Sequence, residues 1–426
     1  MDAAVADQEL RNAVVNAVDH HRDELVELVS ELVRIPSLPG DEAAVARHLH
    51  ARARGLGFDA EFLELRDRDV PAPGRPGVLV VVPGSGDGYS LMFNGHLDTE
   101  PVSPAYVGSG EDPFSGRVDN GHIYGIGTMN MKTAVSAYFF AVKALLETGF
   151  KPAGDIIIAA VPAELNGGAG TRYFMETGLR PDMCINGEAS ELQVITASAG
   201  ITNVRLVLTG QPTHMAFPDK GRSVLDDLRY LLDALPGLDI TFDRIRYGGV
   251  LEPRCNLGYI NGGYEYRAGL FLDRCEIVLN VRGPVGVTPG TVRDDFHRFC
   301  QQLRQGRPDI EIAFSVLNPI PRYMPPFHVS RDEYIVRAVC RAHQHICGNE
   351  PAYAMTYAGV DAGNLQHWWN VPSVVYGPAG SSGSFTPPEK VSIEELMIAT
   401  KVYALAALDV SGRRRGDIDE SMNLSV

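Results

Sequence analysis

Four short polar clusters hold the residue types that move protons or ligate metals. They are Gly95-His96-Leu97-Asp98, Gly125-Ile126-Gly127-Thr128-Met129-Asn130-Met131-Lys132, Ala163-Glu164-Leu165-Asn166-Gly167-Gly168 and Asn186-Gly187-Glu188. An imidazole two residues from a carboxylate, with two more carboxylates nearby in the fold, is a set that can carry acid–base chemistry or hold a cation. The glycine-rich second cluster lacks the Gly-x4-Gly-Lys-[Ser/Thr] spacing of a phosphate-binding loop. Taken singly each cluster is common, and a lone His-x-Asp is more often a packing or surface feature. Their places carry more. Each follows a predicted strand or opens a predicted helix, where α/β folds put their sites.

The elements that must position these clusters follow from pattern. Leu25, Leu28, Val29, Leu32 and Val33 share one helical face. That helix must end before Pro36, which disfavours the α conformation at Ile35. Residues 65–77 read as a loop by composition. Apolar runs at Val78–Val82, Leu91–Phe93, Ile156–Val161, Met183–Ile185 and Ser373–Tyr376 suit buried strands of an α/β sheet. Helices are predicted from Lys132 to Glu147, from Ser330 to about Gly348, and onward from Ser392. Ser330 with Glu333, and Ser392 with Glu395, have capping-box spacing.

Between residues 200 and 317 the rhythm changes. Strand 202–208, helix 224–235, strands 256–260 and 276–281, helix 292–303 and strand 310–314 form a β-α-β-β-α-β order, that of a ferredoxin-like unit. The expected organisation is residues 1–199 and 318–426 as one α/β domain, with 200–317 inserted as a second.

Charge excludes one class of function. The formal net charge is −15, from 53 acidic and 38 basic residues, and the only basic run is Arg413-Arg414-Arg415, so nucleic acid is not an expected partner. No uncharged apolar stretch of about 18 residues offers a membrane span. Asp2, Asp7 and Glu9 open the chain without an apolar segment behind them, unlike a secretory leader. Six cysteines without a C-x-x-C read as buried free thiols of a reducing compartment, and a cytoplasmic location is expected.

Taken in order, the motifs resemble the M20 metallopeptidase family of co-catalytic zinc aminoacylases, deacetylases and carboxypeptidases. The resemblance runs from Arg34-Ile35-Pro36-Ser37 through Gly95–Asp98, Tyr124–Gly127, Gln211-Pro212-Thr213-His214, Gly262-Gly263, Asp273-Arg274-Cys275 and Arg282 to Val360-Asp361-Ala362 and Tyr376-Gly377-Pro378. It implies a mixed-sheet, zinc-exopeptidase-like α/β catalytic domain with an inserted ferredoxin-like α+β lid that dimerises. It also implies a small amino-acid-derived or peptide substrate and a homodimer.

The same resemblance implies two zinc ions held by two His, two acids and a bridging Asp, and here the sequence departs from it. The first His falls on His96, and the Asp that orients it falls on Asp98. The bridging Asp falls on Asn130. The Glu-Glu pair falls on Glu164-Leu165, which keeps the general base and loses a ligand. The next acid falls on Glu188, and the last His falls on Phe385, four residues before Glu389. Leu and Phe offer no lone pair, and a neutral amide is a poor substitute for a bridging carboxylate at zinc. The expectation is no metal, or one weakly bound zinc at His96 and Glu188. His367 is read as a helix-end histidine.

Glu164, walled by Leu165 and Phe385, is expected to be desolvated, with its pKa raised toward acid–base use near neutrality. The resemblance gives His214 the role of oxyanion donor across a dimer, and Arg282 that of gripping a substrate carboxylate. Lys132 and Asn130 are expected on the substrate side of the pocket. The family's lid Asn falls on Gly269. An amide-acting enzyme is the first expectation, metal-independent or single-metal, working by acyl transfer, condensation or acid–base hydrolysis. The alternatives are an inactive homologue, binding a ligand or pairing with an active partner, and a conventional zinc amidohydrolase.

Overall fold

The computed structural model describes residues 3–66, 74–244, 251–317, 323–380 and 387–416, with nothing stated of side chains before residue 7. It divides into two compact units. One comprises Met1–Ala197, His328–Met355 and Val360–Val426, and the other Ser198–Phe327 with Thr356–Gly359.

The first unit is built on a mixed sheet. Strand Ala60–Leu65 pairs antiparallel with Arg75–Val82, which pairs antiparallel with Ile156–Val161. Leu91–His96 then lies parallel between Ile156–Val161 and Met183–Asn186, and Ser373–Val375 continues in parallel. Those central strands are buried along their whole length, so they must be covered on both faces. Period-two alternation does this. Met92 packs with Phe174, Met175 and Leu365 on one side, while Phe93 stacks on Tyr138 and meets Tyr403 on the other. Helices therefore flank the sheet on both sides, as an α/β architecture requires.

Helix Lys132–Glu147 falls where the pattern put it, and its residues from Lys132 through Val142 are all buried. Ser392 caps the helix Ile393–Ser411 by accepting the amides of Glu394 and Glu395. Two local expectations are corrected. Ser330 and Glu333 do not cap a helix; they close a turn, with Glu333 N–H donating to Ser330 O at 3.1 Å, and the helix runs Tyr334–Cys347. Arg75, Pro76 and Gly77, placed in a loop by composition, open the strand Arg75–Val82. Burial of the Arg75–Glu42 ion pair overrides the loop-like composition there, with Arg75 Nε donating to Glu42 Oε2 at 2.9 Å.

The second unit is a four-stranded antiparallel sheet in the spatial order Arg254–Gly262, Arg274–Gly283, Gly200–Thr209, Glu311–Leu317, with helices Leu225–Ala234 and Pro289–Gly306. That is the β-α-β-β-α-β order. Leu206, Leu279, Phe296 and Leu231 meet in its core. The unit extends to Phe327 and gains Thr356–Gly359, beyond the expected 200–317. The start of its first strand explains why. Ile201 exchanges backbone hydrogen bonds with Met324, and Ala199 N–H donates to Thr356 O at 2.9 Å. Gly359 has no room for a Cβ against Ile201 and Met324.

Cys184, Cys275 and Cys300 are buried, the other three cysteines are half-buried, and all six are free. Among the described residues no helix is long and apolar enough to cross a membrane.

Candidate functional site

Three neighbouring parallel strands of the first unit deliver the site. His96 ends Leu91–His96, Glu164 follows Ile156–Val161 by three residues, and Glu188 follows Met183–Asn186 by two. Carboxyl ends of adjacent parallel strands are where open α/β sheets leave a crevice. His96 is fully buried. Its Nδ1 lies 2.7 Å from the main-chain oxygen of Asp98, and its Nε2 lies 2.7 Å from Asn130 Oδ1 and 3.3 Å from Glu188 Oε1. Acceptors at both nitrogens fit a doubly protonated ring. Burial alone would strip that proton, but Glu188 and Asp98 outweigh it and hold the His96 pKa well above the ordinary histidine value.

Asp98 is expected to orient His96 with its carboxylate, yet it does so chiefly through its backbone oxygen, with Oδ1 3.6 Å from the ring. The carboxylate itself takes the amides of the next strand end. Oδ1 accepts Glu164 N–H at 3.0 Å and Oδ2 accepts Leu165 N–H at 2.9 Å. Burial would raise the Asp98 pKa, but His96 and these two amides hold it below the usual range. One ionised carboxylate thus fixes the general-base candidate and the histidine together.

Glu164 is buried, and its pKa is pushed well above the usual carboxylate value, first by burial and then by Glu188 and Asp361, with His96 opposing. The expected direction is found with a partly different cause. Leu165 is half-buried, Phe385 lies outside the described residues, and neighbouring carboxylates add to the effect of burial.

Sequence reasoning missed Asp361. It opens the helix Asp361–Trp369, is fully buried, and lies beside Thr171. Thr171 in turn accepts from Asn94 Nδ2 on the His96 strand. Burial pushes the Asp361 pKa up to about 7, with Glu188 and Asp98 adding to it, against Thr171 and His96. Its Oδ2 has no hydrogen-bond partner among the described residues. Gly168 must be glycine beside it, because a Cβ there would stand 2.4 Å from Asp361 Oδ1, at a φ of +70°. The Val360-Asp361-Ala362 motif was the available signal, but an Asp at a helix start also reads as a cap.

Two expected roles change. Lys132 does not face a ligand. It is fully buried, and its Nζ donates to Leu32 O at 2.9 Å and Ile35 O at 2.7 Å, tying the end of the preceding Arg22–Val33 helix to its own. Burial lowers its pKa to about 7 against the pull of Glu389. Glu389 is also interior and accepts the amides of Gly127 and Met129 at 2.9 and 3.1 Å, bracing the glycine-rich turn. Asn130 keeps a place in the site through its bond to His96.

The ligands that the resemblance implies are only partly present among the described residues. One imidazole and one carboxylate converge with a neutral amide oxygen, and Leu165 contributes no lone pair. Among the described residues no three His, Cys, Asp or Glu side chains stand close enough together to hold a metal ion.

His214 and Arg282 belong to the second unit. His214 Nδ1 accepts Ala216 N–H at 3.1 Å, so the ring proton of the neutral form sits on Nε2. Arg282 Nε donates to Asn280 Oδ1 at 2.8 Å and Nη1 to Tyr357 O at 2.9 Å. His367 lies in the last turn of its helix, as read from the sequence.

Comparison with known proteins adds a family and a fold. The model of peptidase family M20/M25/M40 matches residues 92–409. The chain is 25% identical over 414 residues to N-formyl-4-amino-5-aminomethyl-2-methylpyrimidine deformylase of Bacillus subtilis (strain 168), covering 90% of this chain and 94% of that one. It is 28% identical over 378 residues to acetylornithine deacetylase of Proteus mirabilis (strain HI4320), covering 86% and 92%. The crystal structure of human carnosine dipeptidase 1 superposes with a TM-score of 0.78 at 16% identity, covering 95% of this chain and 99% of that chain.

Proposed function

This chain belongs to peptidase family M20/M25/M40, and on that premise we propose that it acts on an amide C–N bond of a small amino-acid-derived or peptide substrate through Glu164, without a two-ion centre. The observation that carries the reading is the environment of Glu164. A buried carboxyl, with its backbone clamped by Asp98 and its pKa raised by burial and three neighbouring acids, can hold and return a proton near neutral pH. The relatives' printed names, a deformylase and a deacetylase, support an amide bond as the reacting group.

In this reading Glu164 exchanges a proton with the attacking nucleophile and the leaving nitrogen. His96, held charged by Asp98 and Glu188, offsets negative charge beside it. The family resemblance gives His214 the role of oxyanion donor across a dimer, and its Nδ1 contact with Ala216 leaves Nε2 to carry the proton of the neutral ring. Both hydrolysis and transfer of an acyl group to an amine fit this chemistry. The proposal includes at most one weakly held zinc, at His96 and Glu188, and a homodimer.

The test combines metal content with turnover. Protein offered excess zinc and then desalted is expected to retain one ion per chain or none. An N-acyl amino acid panel, assayed with and without an amine acceptor, is expected to show turnover that survives chelator and is lost in Glu164→Gln. Two firmly held ions per chain, with activity abolished by chelator, would overturn the reading in favour of a conventional zinc hydrolase.

A further inference from the structure

The basic run Arg413-Arg414-Arg415 takes no part in the proposed reaction. It follows the helix Ile393–Ser411. Arg415 pairs with Asp182, Nη2 to Oδ2 at 2.7 Å, and lies over the Tyr89 ring. Arg413 lies instead toward Tyr334, the first residue of the helix Tyr334–Cys347. The Tyr334 hydroxyl donates to the main-chain oxygen of Asp409 at 3.1 Å. Burial pushes its pKa up, Arg413 opposes that, Asp409 adds to it and Arg341 opposes it. These four groups share one neighbourhood in the first unit.

Positive charge gathers there. Arg337, Arg341 and His345 follow at four-residue spacing along Tyr334–Cys347, so they share one helical face. Arg11 joins them from the helix Ala3–His20. Asp409, only 2% exposed, serves two of these cations at once. It accepts Arg11 Nη2, and its Oδ2 lies 3.4 Å from Arg341 Nε. The exposed Asp7 takes Arg11 Nε at 2.8 Å. Those contacts leave Nη1 of Arg11 and the terminal nitrogens of Arg341. Among the described residues Arg337 and Arg413 have no carboxylate partner, and Arg337 Nε has no hydrogen bond.

Gln8, Arg11, Arg341, Gln344, His345 and Asp409 line a hollow of about 390 Å³. Asp409 is the one carboxylate of that lining. The Gln344 amide and the His345 ring have no side-chain hydrogen bond among the described residues. We propose that this hollow binds a phosphate group, free or on a small organic molecule, with Arg341 and Arg11 as its charge partners and Gln344 and His345 as further donors. A carboxylate offers two oxygens in one plane and suits a single guanidinium fork. A phosphate offers oxygens on several sides and carries up to two charges, which suits donors arriving from two helices. Arg413 and Arg337 add attraction at longer range. The site shares no residue with the Glu164 site and does not depend on that chemistry.

Isothermal titration of the full chain at low salt, with inorganic phosphate, glycerol phosphate and glycerol as probes, tests it. Both phosphates are expected to bind and to raise the melting temperature, and glycerol to do neither. Arg341→Gln should weaken phosphate binding by about tenfold or more. Its ligand-free melting curve should change little, because Arg11 still neutralises Asp409. Arg341→Lys should recover part of the affinity through its charge, and Arg413→Ala should cost about threefold. Glu164→Gln should leave phosphate affinity within about twofold, which separates failure of this site from failure of the proposed reaction. Tighter binding of glycerol phosphate than of inorganic phosphate would assign the site to a phosphate ester, and the reverse to the free ion. The proposal is overturned if neither phosphate binds, if glycerol binds as well as they do, or if Arg341→Gln binds phosphate like the parent. Acetate competing as strongly as inorganic phosphate would overturn the assignment to phosphate.

Discussion

At the strand ends of the first unit, Asp98, Glu164 and Asp361 lie buried in the same electrostatic environment as one buried imidazole. On the sheet face of the second unit, Arg254 and Arg282 stand opposite each other with water on one side. In the first region desolvation makes the proton the variable. Asp98 stays ionised because two amides and His96 pay its desolvation, while Glu164 and Asp361 are pushed toward their neutral forms. In the second region Arg254 reaches water, and the variable is which anion arrives. Burial tunes chemistry in one place, and exposure leaves charge to the ions of the solvent in the other.

The sharpest way to break this contrast is Glu164→Gln, which keeps shape and removes the titrating group. Turnover is expected to fall about 10²- to 10⁴-fold in steady-state assays, with little change in the melting curve. Asp98→Ala follows. It strips the acceptor from two buried amides and one counter-charge from His96, so stability should drop by about 2–4 kcal/mol in urea titrations, with activity lost besides.

Asp361→Asn sharpens the comparison through pH. The unfolded chain ionises Asp361 near its ordinary value of 3.8, while the folded protein keeps the proton up to about 7. Over that window the unfolded state binds fewer protons, so this group's contribution to stability falls as pH rises. The variant should melt like the parent at pH 4 and about 1–5 °C higher at pH 8. The smallest effect is expected on the exposed sheet. A double-mutant cycle on Arg205 and Glu276 should give a coupling under about 1 kcal/mol, because both side chains reach water. A coupling of several kcal/mol would show that this face is drier than its exposure indicates.

Much of this fold is legible in pattern. The helix Lys132–Glu147, the central strands and the alternating inserted unit follow from apolar period and from Gly and Pro boundaries. Misreadings came where a tertiary contact overrode a local signal. Arg75 is strand because Glu42 neutralises it in the interior. Ser330 is the exception with a local cause, since its turn closes before the helix begins. At the site, His96, Glu164 and Glu188 could be read from motifs at strand ends. Lys132 could not be placed, since a lysine opening a helix looks the same whether it meets substrate or two carbonyls.

From the sequence, the family resemblance places two expected metal ligands on Asn130 and Leu165, and the lack of charge on one and of a lone pair on the other are properties of the side chains themselves. It also determined that a helix-flanked sheet would carry an inserted β-α-β-β-α-β unit, because apolar period is local. Tertiary structure alone decided that Asp361 joins the site, that Asp98 clamps two strand ends and that Arg254 lacks a counter-charge among the described residues. The physical reason is common to all three. Desolvation and hydrogen-bond direction depend on which groups meet across distant parts of the chain, and sequence spacing does not encode that.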